Sequence, residues 1–225
     1  MDINKIYCMD CLDALKDIPK PDLIVCDPPY EFTASGSGIM NKDKIMAKIR
    51  DIGTQHFDFN RYIQKILDTQ QGNINAYFFC SKTLLPAYLH IAQKNKCSFD
   101  MLFLVKNNPV PCKNNHYAID TEYCVFMRKG KNHFNNGFPF NYYKKHHYIT
   151  IGSFSGCHLN EKPIEMIRKM IKISSNEGDL VLDCFMGSGT TAVACKDLKR
   201  NFIGFELLQK YVDQMRKMKN CVLMF

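Results

Sequence analysis

A glycine-rich turn near the end of the chain has residues suited to binding a small molecule. The stretch LVLDCFMGSGTTA runs from an apolar segment ending at Asp183, through Gly187 and Gly189, into a helical pattern. Glycines let the backbone turn tightly and approach a ligand, and a helix N-terminus offers N–H groups. Glu206 ends the next apolar segment, near the spacing of about 20 residues typical of an acid that binds ribose hydroxyls. The pattern predicts a nucleoside-containing ligand, and a strand–helix turn without a ligand is the alternative.

The series Gly187-x-Gly189-x-x-Ala192 also fits a dinucleotide-binding fingerprint. Two features argue against a dinucleotide. The Asp183 carboxylate would repel a pyrophosphate, whereas it suits the ammonium group of a methionine moiety. In addition, the segment after the motif is too short for a nucleotide-binding half-sheet that starts there.

A second motif, Asp27-Pro28-Pro29-Tyr30, directly follows the apolar segment DLIVC. The prolines hold the backbone extended and leave carbonyl groups without competing N–H partners. The Asp27 carboxylate and the Pro28 carbonyl could accept both hydrogens of an adenine or cytosine amine, whose lone pair is otherwise delocalised into the ring. Tyr30 would stack on that base, which must be flipped out of a duplex to be reached. A proline-stiffened turn beside a chance acid is the alternative for this motif alone.

Alternating strand and helix patterns predict an α/β fold with a mostly parallel sheet and helices on both faces. Both motifs then lie at carboxyl ends of strands, where such sheets bind ligands. The predicted strands are 5–8, 22–26, 75–80, 99–105, 123–127, 180–184 and 202–205. The predicted helices are 11–17, 61–69, 83–94, 163–173, 190–198 and 208–217.

The composition predicts one domain, residues 1–225, with enough apolar residues (46%) for a core. The net charge of +8 is compatible with a phosphate-rich partner and equally with solubility alone. No apolar run reaches the length of a membrane span, and no signal peptide is evident, so a cytoplasmic location and free thiols are expected. Cys8-x-x-Cys11 lacks a second ligand pair, so no metal site is predicted, and both thiols are expected to be buried.

Taken together, the motifs resemble the N6-adenine/N4-cytosine amino-methyltransferases of DNA over nearly the whole chain. DPPY precedes DCFMGSGTT, which is similar to the β group of that family. The segments IYCMDCLD and HLNEKPIEMIRKMI resemble the family's adenine-binding strand end and its H-x-x-x-K-P helix. The resemblance implies a Rossmann-like methyltransferase fold that uses S-adenosylmethionine. The cofactor-binding residues that it implies are Asp10, Cys11, Asp27, His158, Lys162, Asp183, Phe185, Gly187, Ser188, Gly189, Thr190 and Glu206.

The resemblance favours N6 of adenine, because DPPY is usual for adenine enzymes, whereas β-group cytosine N4 enzymes often carry Ser first. A carboxylate would serve either amine, so cytosine N4 transfer on the same fold remains the first alternative. A non-catalytic DNA-binding module is the second, although every motif position is filled here.

Residues 131–157 lack a role in the predicted sheet and are interpreted as a small inserted target-recognition region. Their aromatic and basic residues suit base stacking and phosphate contact in double-stranded DNA, or alternatively packing on the core. Residues 31–56 form a basic loop beside DPPY, and we hypothesise that it folds over the flipped base. A basic loop that is simply solvated is the alternative. The predicted DNA-binding residues are Lys42, Lys44, Lys48, Arg50, Tyr142, Tyr143, Lys144 and Lys145. A homodimer and a cognate restriction enzyme are compatible with the family and left open by the sequence.

Overall fold

Eight strands form one sheet in the computed structural model, which describes residues 1–29, 58–109, 117–150 and 162–217, without the side chains of 216 and 217. The strands are β1 (Lys5–Cys8), β2 (Leu23–Cys26), β3 (Ile74–Cys80), β4 (Ser98–Lys106), β5 (Thr121–Lys129), β6 (His146–Ile149), β7 (Leu180–Asp183) and β8 (Asn201–Glu206). Their order across the sheet is β1-β8-β7-β2-β3-β5-β4-β6. Only β5 runs antiparallel to its neighbours among these strands, so the predicted mostly parallel sheet is confirmed.

Helices cover both faces of this sheet, as predicted. They are α1 (Phe59–Asp68), α2 (Leu85–Lys94), α3 (Ile164–Ser174), α4 (Thr190–Asp197) and α5 (Gln209–Lys217). One buried cluster joins the sheet to α3, α4 and α5 through residues such as Met166, Ala194 and Val212. The other joins the opposite face to α1 and α2 through Ile63 and Tyr88. The core therefore has three layers, with the sheet in the middle.

The segments with the longest apolar runs became the central strands. Every residue of β2, β3 and β7 is buried, because each has a strand on both sides and helices on both faces. From β7 the chain moves to β8 on one side, whereas from β2 it moves to β3 on the other. Such a reversal opens a crevice at the carboxyl ends of the two strands. The candidate site is expected there.

The region 131–157 does have a role in the sheet, so that part of the prediction was wrong. Its residues His146–Ile149 form β6, an edge strand that runs parallel to β4. Exposed and half-exposed residues alternate along β6, so it lacks the apolar run by which the inner strands were recognised. The first predicted helix, 11–17, is also shorter than expected: a single 3₁₀ turn covers Cys11–Asp13.

Candidate active site

Asp183 ends β7 inside the crevice, and its carboxylate is almost fully buried, with 4% of the residue exposed. It accepts a hydrogen bond from the Phe185 N–H at 2.9 Å and another from the Thr191 hydroxyl. Burial, aided by the nearby carboxylates of Asp27 and Glu206, raises the pKa of Asp183 to about 7. Both of these donors are neutral. A cationic group on a ligand would therefore favour the ionised carboxylate.

The glycine turn after Asp183 is shaped by two left-handed residues. Gly187 has φ 54° and Gly189 has φ 83°, in a region that side chains disfavour, and Gly189 is the N-cap of α4. Ser188 and Thr190 join their hydroxyl groups at 2.8 Å across the same turn. The turn thus brings backbone N–H groups and two hydroxyls to the carboxyl end of β7.

Glu206 ends β8 beside this turn and is tied to it. Its carboxylate accepts from the Gly187 N–H and the Leu208 N–H, both at 2.9 Å. Burial raises the pKa of Glu206, although these backbone hydrogen bonds oppose the shift. The acid predicted to bind ribose is therefore at the edge of the same crevice.

Asp10 follows β1 and has two partners. One carboxylate oxygen accepts from the Leu12 N–H at 2.9 Å, and the other accepts from the Tyr62 hydroxyl. The Tyr62 ring lies 6.3 Å from the Phe185 ring, centroid to centroid. Tyr62 was missed from the sequence because it belongs to α1, far from both motifs. These contacts bring β1, α1 and the glycine turn together around one end of the crevice.

Cys11 is buried beneath this region, as expected, whereas the prediction of a buried Cys8 was wrong because Cys8 is exposed. The cysteines within the described residues are free thiols. No cluster of three or more His, Cys, Asp or Glu side chains suited to a metal ion occurs in that part of the chain.

Asp27 directly follows β2, next to β7 in the sheet, so the two predicted motifs do meet. Its carboxylate accepts a hydrogen bond from Lys162 Nζ at 2.6 Å. Pro28 is buried and Pro29 half-buried beside it. Lys162, which the resemblance implies near the methionine carboxylate, thus pairs with the catalytic candidate. It also contacts Glu122 of β5, which the sequence analysis did not single out.

The predicted DNA-binding residues have mixed surroundings. The Tyr143 hydroxyl bonds to Asn135 and Phe138, and Tyr142 packs against the Phe138 ring, so both tyrosines help to hold the insertion together. Lys144 is exposed, and Lys145 pairs with Asp100. The remaining predicted residues, Tyr30, Lys42, Lys44, Lys48, Arg50 and His158, lie outside the described residues, as does the loop 31–56.

This arrangement defines a class of protein. A mostly parallel sheet that brings Asp10, Asp183 and Glu206 around a glycine turn suits a nucleoside carrying a methionine group, and Asp27 borders the same crevice. The donor set therefore fits S-adenosylmethionine, with Asp183 suited to its ammonium group. The fold and site are those of an S-adenosylmethionine-dependent methyltransferase.

Comparison with known proteins identifies the family. The sequence profile of the N6/N4 DNA methylase family matches residues 21–217, and the chain belongs to that family. It is 28% identical to the type II methyltransferase M1.MboII of Moraxella bovis, with 95% of each chain covered. It is 29% identical to M1.HpyAVI, solved as a complex with SAM, with a TM-score of 0.71 and coverage of 96% and 98% of the two chains.

The fold alone leaves the target base open. The cytosine-N4-specific PvuII DNA methyltransferase has the same fold at 14% identity, with a TM-score of 0.68, over 93% of this chain and 83% of that one. The protein is thus a DNA methyltransferase that uses S-adenosylmethionine. Within the described residues, none of the helices has the length and apolar character of a membrane span.

Proposed function

We propose that the protein methylates N6 of adenine in double-stranded DNA, with Asp27 and the Pro28 carbonyl as acceptors for the two amine hydrogens. The observation that carries this proposal is the position of Asp27, at the end of β2 and held by Lys162 in the crevice that Asp183 borders. The carboxylate in the first motif position resembles adenine enzymes, whereas the related cytosine enzymes often carry Ser there.

The chemistry that these residues must supply is activation of a weak nucleophile. An aromatic amine shares its lone pair with the ring, and hydrogen bonds to both N–H groups favour a pyramidal nitrogen with an available lone pair. S-adenosylmethionine supplies the electrophilic methyl group when it is bound. The N–CH₃ bond would form as the S–CH₃ bond of the cofactor breaks. The Asp27 carboxylate stabilises the positive charge that develops on the amine nitrogen, which then loses one N–H proton to solvent.

The cofactor end of the proposed site is divided among three acids. Asp183 would face the ammonium group, Glu206 the ribose hydroxyls and Asp10 the adenine amine. Each sits at the end of a different parallel strand, β7, β8 or β1, and these strands are neighbours in the sheet. Rigid strand ends fix the three acids relative to Asp27, which is the positioning that the transfer requires.

The DNA is proposed to contact exposed cations of the insertion, of which Lys144 is the clearest within the described residues. The names of relatives such as M1.MboII support a role in restriction–modification, and we propose a cognate restriction enzyme of the same DNA specificity. A homodimer would extend the short DNA-contacting surface of one chain. A cytoplasmic location follows from the DNA substrate.

The test is to incubate the protein with unmethylated duplex DNA and S-adenosylmethionine and analyse the nucleosides by mass spectrometry. N6-methyladenine is expected. N4-methylcytosine would leave the acceptor mechanism standing and overturn the choice of base.

A further inference from the structure

Four charged side chains form a continuous row that ends at Asp27. Lys106 Nζ lies 2.7 Å from Glu122 Oε1, and Glu122 Oε2 lies 3.5 Å from Lys162 Nζ. Lys162 Nζ in turn lies 2.6 Å from Asp27 Oδ2. The charges alternate along the row, positive, negative, positive, negative. The row therefore connects the end of β4 and the start of β5 to the end of β2.

The side chains of the row are buried or half-buried, so their charges depend strongly on one another. The Lys162 side chain is 8% exposed, and those of Lys106, Glu122 and Asp27 are between 21% and 28% exposed. A buried charge that loses its partner is strongly unfavourable, so removing one member of the row affects the others. Lys162 is the most buried member of the row, and the carboxylates of Asp27 and Glu122 compete for its ammonium group.

Electrostatics within the row supports this coupling. Burial alone would lower the pKa of Lys162, but Asp27 and Glu122 outweigh it and raise the pKa. Burial alone would likewise raise the pKa of Glu122, but Lys162 and Lys106 outweigh it and lower the pKa. Lys162 and Glu122 are thus both expected to carry their charges at neutral pH. Lys162 also lies 5.3 Å from the centre of the Phe79 ring, which restricts its position.

The sheet fixes the far end of the row. Glu122 pairs with Leu104 in the register of β4 and β5, two residues before Lys106. The Lys106 N–H also donates to the Asp120 carbonyl at 2.7 Å, which anchors the end of β4 against the start of β5. Lys106 and Glu122 therefore stand on paired strands, whereas Asp27 and Lys162 stand on connecting segments. The strands can hold the position of Lys162, and through it the carboxylate of Asp27.

We propose that Glu122 and Lys106 are positioning residues for methyl transfer, which set the distance and orientation of Lys162 against the Asp27 carboxylate. Glu122 draws part of the Lys162 charge away from Asp27, so Asp27 keeps its strength as an acceptor for the amine. Lys106 also pairs with Glu122, and it therefore limits how strongly Glu122 attracts the Lys162 ammonium group. The proposal rests on the acceptor role of Asp27 proposed above, and it holds for adenine or cytosine as the target.

The first test is Glu122→Gln, which keeps the shape of the side chain and removes its charge. We expect kcat at saturating DNA and cofactor to fall about tenfold to a hundredfold, the effect typical of a charge-assisted contact. The dissociation constant for S-adenosylmethionine should stay within about twofold of the wild-type value. A purely structural role would instead lower the unfolding midpoint without this selective loss of kcat.

Asp100→Asn is the matched control. Asp100 is also a half-buried carboxylate on this part of the sheet with two cationic partners, Arg128 and Lys145, but it is outside the row. The kcat of the Asp100→Asn variant at saturating DNA should equal that of the wild-type protein. If Glu122→Gln matches Asp100→Asn, or if its whole loss is a loss of cofactor affinity, the proposal is wrong.

A double-mutant cycle tests whether Lys106 and Glu122 act together. It also provides a test through Lys106→Met if Glu122→Gln folds poorly. Lys106→Met leaves Glu122 to compete more strongly for Lys162 and to pull its ammonium group away from Asp27. The Asp27 carboxylate then loses the contact that orients it, so kcat should fall. Lys106→Met with Glu122→Gln removes a neutral pair and leaves Lys162 with Asp27, so its loss should be smaller than the product of the two single losses. Strictly multiplicative losses would refute the coupling.

Asp27→Ala separates this proposal from the proposed function. If Asp27→Ala is inactive while Glu122→Gln and Lys106→Met act like the wild-type protein, only the positioning proposal fails. If Asp27→Ala still transfers methyl groups, the acceptor role of Asp27 fails and the positioning proposal fails with it.

Discussion

Replacing Asp183 by Asn is expected to stabilise the protein without cofactor and to weaken cofactor binding. The folded protein holds the Asp183 proton more tightly than the unfolded chain does, since burial raises its pKa from 3.8 to about 7. Protonated Asp183 therefore favours the folded state. The contribution to stability is fully present below pH 3.8 and is lost as the pH rises to about 7.

The size of the effect follows from the same pKa difference. One pKa unit is worth about 1.4 kcal/mol, so the ionised Asp183 costs the folded state about 4 kcal/mol above pH 7. At pH 5 the cost is about 2 kcal/mol by the same relation. Asn keeps an oxygen for the Phe185 N–H and cannot ionise. The variant's advantage in free energy of unfolding should therefore grow by roughly 2 to 3 kcal/mol between pH 5 and pH 8.

Urea unfolding at the two pH values measures this advantage, with Asp100→Asn as the control for the removal of a carboxylate elsewhere on the sheet. Calorimetry measures the predicted weakening of cofactor binding. Cofactor affinity of the wild-type protein should fall about tenfold for each pH unit below about 7, because Asp183 must lose its proton to pair with a cation. Asp183→Asn should bind about tenfold to a hundredfold more weakly near pH 7.5. An advantage that does not grow with pH would refute the burial argument, and unchanged affinity would refute the ammonium assignment.

Three further substitutions probe other parts of the structure. Tyr62→Phe removes the hydroxyl that bonds to Asp10, so calorimetry should show roughly fivefold weaker binding of S-adenosylmethionine, and unchanged affinity would exclude Tyr62 from the site. Gly204→Ala would bring a Cβ to 2.1 Å from the end of Met186, so urea unfolding should show a loss of about 1 to 2 kcal/mol, which a wild-type midpoint would contradict. Lys144→Ala should weaken DNA binding and lower its salt dependence by about one counterion, and an unchanged salt slope would remove Lys144 from the DNA surface.

The sequence was sufficient for the inner sheet because burial leaves a strong pattern there. The apolar runs that became β2, β3 and β7 are wholly buried, and the strand-end acids Asp27 and Asp183 could be assigned from them. Strand β6 could not be recognised in the same way. It is an edge strand with alternating exposure, and its place beside β4 depends on tertiary packing.

The contacts that support the acids of the site could not be predicted, for a related reason. Tyr62 meets Asp10 across 52 residues of sequence, and Lys162 meets Asp27 across 135. Neither Tyr62 nor Glu122 belongs to a motif, and only the order of strands brings them to the crevice. Local patterns therefore identified the acids that end the strands, while the groups that hold those acids required the folded structure.

The most direct test of the central claim compares the wild-type protein with Asp27→Ala on unmethylated duplex DNA. Methylated nucleosides are measured by mass spectrometry, and cofactor affinity is measured in parallel by calorimetry. We expect N6-methyladenine from the wild-type protein, and no methylated base from Asp27→Ala while that variant still binds S-adenosylmethionine. Methyl transfer by Asp27→Ala at a rate near that of the wild-type protein would contradict it.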